Sequence, residues 1–207
     1  YLVNDLGWEK FQNLVLKERA VVKATQSVIV KLNIDESVNE IQRPISVNDE
    51  SASVPDGYAR WEKTNVEKQS QSGFNSVFIG LEAGDITANQ LRSVAEIIRD
   101  YSAEGFARNG FSQNIVIRYV HDDDLKSMYS RLIENGLAKT GSLTMASAVG
   151  CSGTTSCNLA LTNSHRLAKE VQRKFLELNY DEDDDLKDST IKISGCPNSC
   201  GQHQIAT

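Results

Sequence analysis

Apolar positions along the chain follow two spacings, one helical and one alternating. From residue 5 to about 22, Phe11, Leu14, Val15 and Val22 fall on one face, which predicts a helix. From about 33 to 72 the pattern dissolves. Pro44, Pro55, Gly57 and many Ser, Asn, Gln and Glu residues predict a long connection. A connection of that length is unusual inside a compact domain, so it links two modules or crosses a surface. Residues 1–72 therefore read as a helix plus a linker.

Order returns at Gly73. Ser76-Val77-Phe78-Ile79-Gly80-Leu81 predicts a strand. Thr87 and Gln90 form a capping-box signature, and Leu91, Val94, Ala95 and Ile98 make the apolar stripe of a helix ending near Ser102. Asn109-Gly110 lies between two strand-like runs, Phe106 to Arg108 and Phe111 to Val120, which is a strong hairpin signal. In the second run Ile115, Ile117 and Tyr119 alternate with Val116 and Arg118. Asp122 or Asp123 caps a second helix with Leu125, Met128, Tyr129, Leu132 and Ile133 facing inward, and Asn135-Gly136 ends it. The order β-α-β-β-α over residues 73–140 predicts an α+β, ferredoxin-like half-domain.

Residues 141–207 read as a separate region. Asn158 to Asn179 predicts a helix with Leu167, Val171, Phe175 and Leu178 on its core face. Its start follows Cys157 directly, so its positive end would suit a net-negative group held by that thiol. The run Asp181-Glu182-Asp183-Asp184-Asp185 reads as a solvated loop. Thr190 to Ser194 predicts a strand, and Ile205-Ala206-Thr207 looks like the start of another.

Composition narrows the function classes. Hydrophobic residues make up 40% and charged residues 24%, as in soluble globular proteins. The net charge of −6 argues against nucleic acid, whose phosphates need clustered Lys and Arg. No apolar run is long enough to span a membrane, which takes about 18 residues or more. The start, Tyr1-Leu2-Val3-Asn4-Asp5, has no initiator Met and no signal peptide. The chain therefore reads as a piece of a longer, cytoplasmic polypeptide, an assignment that fits its few cysteines.

Those cysteines carry the candidate chemistry. There are four, in Gly150-Cys151-Ser152-Gly153-Thr154-Thr155-Ser156-Cys157 and in Ser194-Gly195-Cys196-Pro197-Asn198-Ser199-Cys200-Gly201. Four thiolates in small, Gly-rich loops suit an iron–sulfur cluster. Glycine lets the backbone wrap closely and offers its N–H to sulfur. A four-cysteine zinc module is the alternative; the Cys196/Cys200 spacing fits it and the Cys151/Cys157 spacing fits it poorly. Two disulfides and inert thiols are the remaining readings.

The string Gly195-Cys196-Pro197-Asn198-Ser199-Cys200-Gly201-Gln202 resembles the signature of the sirohaem- and 4Fe–4S-containing nitrite/sulfite reductase haemoproteins. The first pair's spacing and the 38 residues between Cys157 and Cys196 agree with it. So do Gln113-Asn114 after a short strand, Lys68-Gln69 before Gly73, and Asn4-Asp5-Leu6-Gly7-Trp8 with Phe11. The resemblance covers almost the whole chain, as the second half of such a protein. It implies a ferredoxin-like half-domain followed by part of an α/β sirohaem/4Fe–4S-binding domain.

It further implies that Cys151, Cys157, Cys196 and Cys200 bind a 4Fe–4S cluster. Cys200 would also ligate the sirohaem iron and so carry the catalytic role. Sirohaem bears many carboxylates, so Arg108, Lys68, Gln113, Asn114 and Asn198 become its candidate contacts. His165 reads as a helix-surface residue or as a proton donor. The implied reaction is six-electron reduction of nitrite to ammonia or of sulfite to sulfide, fed by ferredoxin or a flavoprotein. The substrate is a small anion, and the Cys-Pro-Asn-Ser-Cys-Gly-Gln string leans to the nitrite branch. In the family the half-domain packs on a twin absent here, and an uncovered apolar face of that kind favours self-association.

Overall fold

The computed structural model describes residues 6–25, 54–186 and 189–206. The expected helix start at residue 5, Asn4 and Asp5, residues 26–53 with Pro44, and Thr207 lie outside the described residues. Two compact units divide the chain between Asn39 and Glu40. In the first, helix α1 spans Trp8–Thr25. The rings of Trp8 and Phe11 meet one turn apart, 6.1 Å between centroids.

The second unit holds everything else described. The expected connection through residue 72 is corrected at its C-terminal end. Helix α2 spans Tyr58–Asn65 and strand β1 spans Val66–Lys68. Besides Ala59, only Tyr58 and Trp61 are apolar in α2, too few to make a stripe, yet they anchor it. Trp61 is fully buried and its ring lies 4.8 Å from that of Tyr129. The helix's polar end is buried as well. Asn65 donates from Nδ2 to Phe78 O and Lys139 O at 2.8 Å, and Thr64 Oγ1 donates to Arg60 O. A Thr-Asn pair reads as loop in a sequence, but here each polar group finds a partner and tolerates burial.

Strand β2 spans Phe74–Ile79, helix α3 Ala88–Tyr101, strand β3 Ala107–Asn109, strand β4 Ile115–His121 and helix α4 Leu125–Glu134. The sheet order is β1-β2-β4-β3, every pairing antiparallel. This is the expected α+β half-domain with β1 added at its edge. The hairpin forms, but Asn109 is the last residue of β3, opposite Ile115, and residues 110–114 make the turn, so Phe111 lies in the turn and not in the second strand. Thr87 and Gln90 complete the capping box of α3.

Four expectations shift. The buried stripe of α3 is Val94, Ile97 and Tyr101, and Leu91 is exposed. His121, rather than an Asp, caps the 3-10 turn at Asp122–Asp124 that leads into α4, its ring accepting from Asp123 N–H. Ile133 of α4 is exposed. The alternation in β4 breaks at a bulge. Asn75 pairs with Val120 and Val77 with Ile117, so Arg118 and Tyr119 together oppose Ser76. Tyr119 takes φ of 54°, and its freed N–H donates to Gln69 Oε1 at 2.7 Å. An extra residue on one strand has to leave the ladder, and the Gln69 amide satisfies the group it exposes.

After α4 the chain forms a two-stranded parallel sheet, β5 at Val149–Gly150 and β6 at Lys192–Ile193, with helix α5 at Ser164–Glu177 packed on it. The helix begins later than expected. Asn163 caps it by accepting from Arg166 N–H at 3.0 Å, so α5 does not follow Cys157 directly. Its buried face is Ser164, Ala168 and Gln172, while Leu167 and Leu178 are exposed. Small residues face inward because a Cβ on Gly150 would sit 2.7 Å from Ala168 Cβ. A larger side chain at 168 would push the helix off the strand. In place of the strand expected at the C-terminal end there is a 3-10 turn, His203–Ile205.

Candidate functional site

Strands β5 and β6 end side by side and deliver the two cysteine loops to one edge. Val149 N–H donates to Ile191 O at 2.9 Å and Cys151 N–H to Ile193 O at 3.1 Å. The loops then interlock through glycine. Gly195 N–H donates to Cys151 Sγ at 3.2 Å, and Gly195 O accepts from Leu161 and Thr162 N–H. A Cβ on Gly195 would meet Thr162 O at 2.9 Å and Gly153 Cα at 3.2 Å. The backbones of the two loops touch where any side chain would hold them apart. Gly201 lets the second loop close back on its own strand, since its Cβ would fall 2.0 Å from Ile193 O.

Cys151 is the most elaborated of the four thiols. Its Sγ lies 3.0 Å from Ser164 Oγ, and Ser164 Oγ also reaches Cys151 O at 3.0 Å. Burial alone would raise its pKa. The Ser164 hydroxyl and the backbone N–H groups of Gly195 and Gly153 outweigh burial and hold the thiol below its ordinary value. Cys157 and Cys196 are half-buried, and Cys200 is exposed. All four are free thiols. Their side chains are not drawn into a ligand group: among the described residues no three His, Cys, Asp or Glu stand together as metal ligands. The donor set itself suits an iron–sulfur cluster. It offers four soft sulfurs from two adjoining loops, with N–H and O–H donors already directed at one of them.

The other expected site residues are dispersed. Gln113, in the β3–β4 hairpin with φ of 56°, joins the cysteine region directly. Its Nε2 donates to Gly150 O at 2.9 Å and its Oε1 accepts from Gly150 N–H at 3.0 Å. Asn114 is buried beside it, and its Oδ1 has no hydrogen-bond partner. Arg108 forms a bidentate pair with Glu104, whose carboxylate is wholly buried and also accepts from Arg118 Nε at 3.3 Å. Lys68 is exposed on β1, and Asn198 is exposed in the second loop.

Several residues here escaped the sequence reading. Ser164 and Gln172 lie on a helix face that carries no apolar signal. Gln172 Nε2 donates to Ala148 O at 2.9 Å, and its Oε1 accepts from Ala83 N–H at 3.2 Å. Asp85 meets both Lys169 Nζ, at 2.6 Å, and His165 Nε2, at 3.2 Å. The Lys169 bond first, then His165, keeps the Asp85 carboxyl below its usual range despite partial burial. His165 is therefore a hydrogen-bond partner that, with Lys169, docks the 82–85 turn on α5. The acidic run is not wholly solvated either, because Asp181 is buried against Arg60.

Residues 67–135 match the model of the nitrite/sulfite reductase ferredoxin-like half domain. The chain is 28% identical to a ferredoxin–nitrite reductase of Synechococcus elongatus over 149 residues, 70% of this chain and 28% of that protein. It is 24% identical to the chloroplastic ferredoxin–nitrite reductase of Spinacia oleracea over 207 residues, all of this chain and 30% of that one. It is also 24% identical to a ferredoxin-dependent sulfite reductase of Mycolicibacterium paratuberculosis over 213 residues, all of this chain and 33% of that one. The chain spans about a third of the length of these curated relatives. No described helix is long and apolar enough to cross a membrane. Over residues 67–135 the chain is thus similar to the ferredoxin-like half domain of nitrite and sulfite reductases.

Proposed function

We propose that this chain supplies the cluster-bearing part of a cytoplasmic nitrite or sulfite reductase that draws electrons from ferredoxin. Cys151, Cys157, Cys196 and Cys200 would hold a 4Fe–4S cluster, with Cys200 shared with a sirohaem iron. The observation that carries this reading is the Gly195 N–H aimed at Cys151 Sγ, which ties the two cysteine loops together. When bound, the cluster and sirohaem supply the one-electron steps of a six-electron reduction.

The protein's own contribution is positional. Gly153 and Gly195 keep the loops close, Gly201 lets the second loop close on Ile193, and Ser164 and the backbone N–H groups favour the thiolate at Cys151. Cys200 is exposed and so accessible to a second group outside the loop. Asn198, Lys68 and Asn114 are the candidate polar contacts for the macrocycle. Arg108 would reach it only in competition with Glu104.

The test is to purify the full-length protein and measure iron, acid-labile sulfide and visible absorbance. Haem bands, near-stoichiometric sulfide and nitrite- or sulfite-dependent oxidation of a reduced donor are expected. A colourless protein that binds zinc stoichiometrically would overturn the reading.

A further inference from the structure

We propose that Gln113 is a positioning residue for the first cysteine loop, its side-chain amide taking the place of a neighbouring strand along Gly150 and so fixing where Cys151 stands. The inference rests on the cluster assignment above, but its geometry is independent of any bound group.

Strand β5 has only two residues. One edge is paired, through Val149 N–H and Cys151 N–H to β6. The other edge presents the N–H and C=O of Gly150, and Gln113 bonds both, at 3.0 and 2.9 Å. One planar amide thus supplies the donor and the acceptor that a paired strand would offer. Gly150 is confined on a further side, where a Cβ would meet Ala168 Cβ at 2.7 Å and Ser164 O at 3.0 Å. Gly150 is therefore held by β6 through its neighbours, by α5 through contact and by the hairpin through Gln113. Cys151 is the next residue.

Gln172 makes a related bridge two residues earlier, donating to Ala148 O and accepting from Ala83 N–H. Two glutamines thus lock the segment before Cys151 to the ferredoxin-like half-domain. Asn at 113 would tolerate the positive φ, but it lacks the methylene needed to reach both groups. Glu would set a carboxylate oxygen against Gly150 O.

The test compares wild type with Gln113→Asn and Gln113→Ala in the full-length protein. Residue-level amide exchange at Gly150 and Cys151 is read together with iron release to a chelator, the EPR spectrum of the reduced cluster and the unfolding midpoint. Exchange at Gly150 should accelerate at least about tenfold, in line with the loss of its acceptor. Iron release should rise about 10–100-fold, as for lost partners of metal ligands. The EPR spectrum should shift, and the midpoint should move by less than about 4 °C. Unchanged exchange at Gly150 overturns the proposal, as does faster exchange spread evenly over the whole chain. If wild type carries no iron, the cluster assignment fails while the exchange at Gly150 still decides the role of Gln113.

Discussion

Arg60 and Asp181, 121 residues apart, form a fork in which guanidinium Nε donates to Asp181 Oδ2 at 2.9 Å and a second nitrogen donates to Oδ1. The Asp181 side chain is wholly buried while Arg60 stays partly exposed, so this pair joins helix α2 to the turn after α5 with the carboxylate on the sheltered side. The same Arg60 donates to Asn179 Oδ1 at 2.8 Å. Asp181 raises the Arg60 pKa above its ordinary value, so the charge is always present to meet it.

Removing the arginine strands a buried carboxylate. Arg60→Ala should therefore cost about 3–5 kcal/mol, the usual penalty for breaking a buried pair from one side. Arg60→Ala with Asp181→Leu should recover part of the loss. Urea denaturation of the three proteins measures both, and an Arg60→Ala cost near zero would contradict the observed burial.

Gly201→Ala should disturb the second cysteine loop more than Gly105→Ala disturbs its turn. At 201 a Cβ would fall 2.0 Å from the Ile193 carbonyl oxygen, a backbone atom that cannot swing aside. At 105 nothing lies within 4 Å, and the cost is only that of the positive φ. Overpacking typically costs about 1–3 kcal/mol, so Gly201→Ala should lose at least that much. Alkylation of Cys196 and Cys200 should also become faster, which peptide mass spectrometry can follow.

Acid should loosen the β3–β4 hairpin through Glu104. Burial would raise this carboxyl, but the bonds from Arg108 and the charge of Arg118 outweigh it and set the pKa below the ordinary 4.5. A group depressed in the folded state stabilises fully above its unfolded pKa and loses that contribution as pH falls through the folded value. The stabilisation should thus be intact at pH 6 and decline below about pH 4.5. Glu104→Gln should lower stability by about 1–3 kcal/mol at neutral pH and flatten this acid limb. Parallel limbs in the two proteins would assign the acid loss elsewhere.

Cys200→Ser separates fold from function. Cys200 is exposed, so the change should move stability by less than about 0.5 kcal/mol. On the proposed function, the same change should abolish nitrite or sulfite reduction by the full-length protein and alter its haem spectrum, because serine lacks the soft sulfur that iron clusters prefer. Unaltered turnover and spectrum would remove Cys200 from the bridging role.

Where a periodic stripe existed, the sequence was readable. The capping box at Thr87 and Gln90, the β3–β4 hairpin and the inward face of α4 at Leu125, Met128, Tyr129 and Leu132 all form as expected. Those features are local, decided by residues within a turn or two of each other. Helix α2 and the inner face of α5 were illegible for one common reason. Their buried residues, Thr64 and Asn65 in one and Ser164 and Gln172 in the other, are polar and become satisfied only by partners far along the chain.

Local patterning along the chain was enough to reveal which atoms are available: four thiols in two glycine-rich loops, and a β-α-β-β-α order ahead of them. It could not determine which residues support those thiols. Ser164 reaches Cys151 only because α5 begins at Asn163 and packs on Gly150. Gln113 reaches Gly150 only because the hairpin folds against β5, and Arg108 is diverted to Glu104 by the same hairpin. A hydrogen bond between residues tens of positions apart leaves no period in the sequence. Tertiary structure decided these pairings, since close approach of backbones and the need to satisfy buried polar groups select partners that spacing along the chain does not encode.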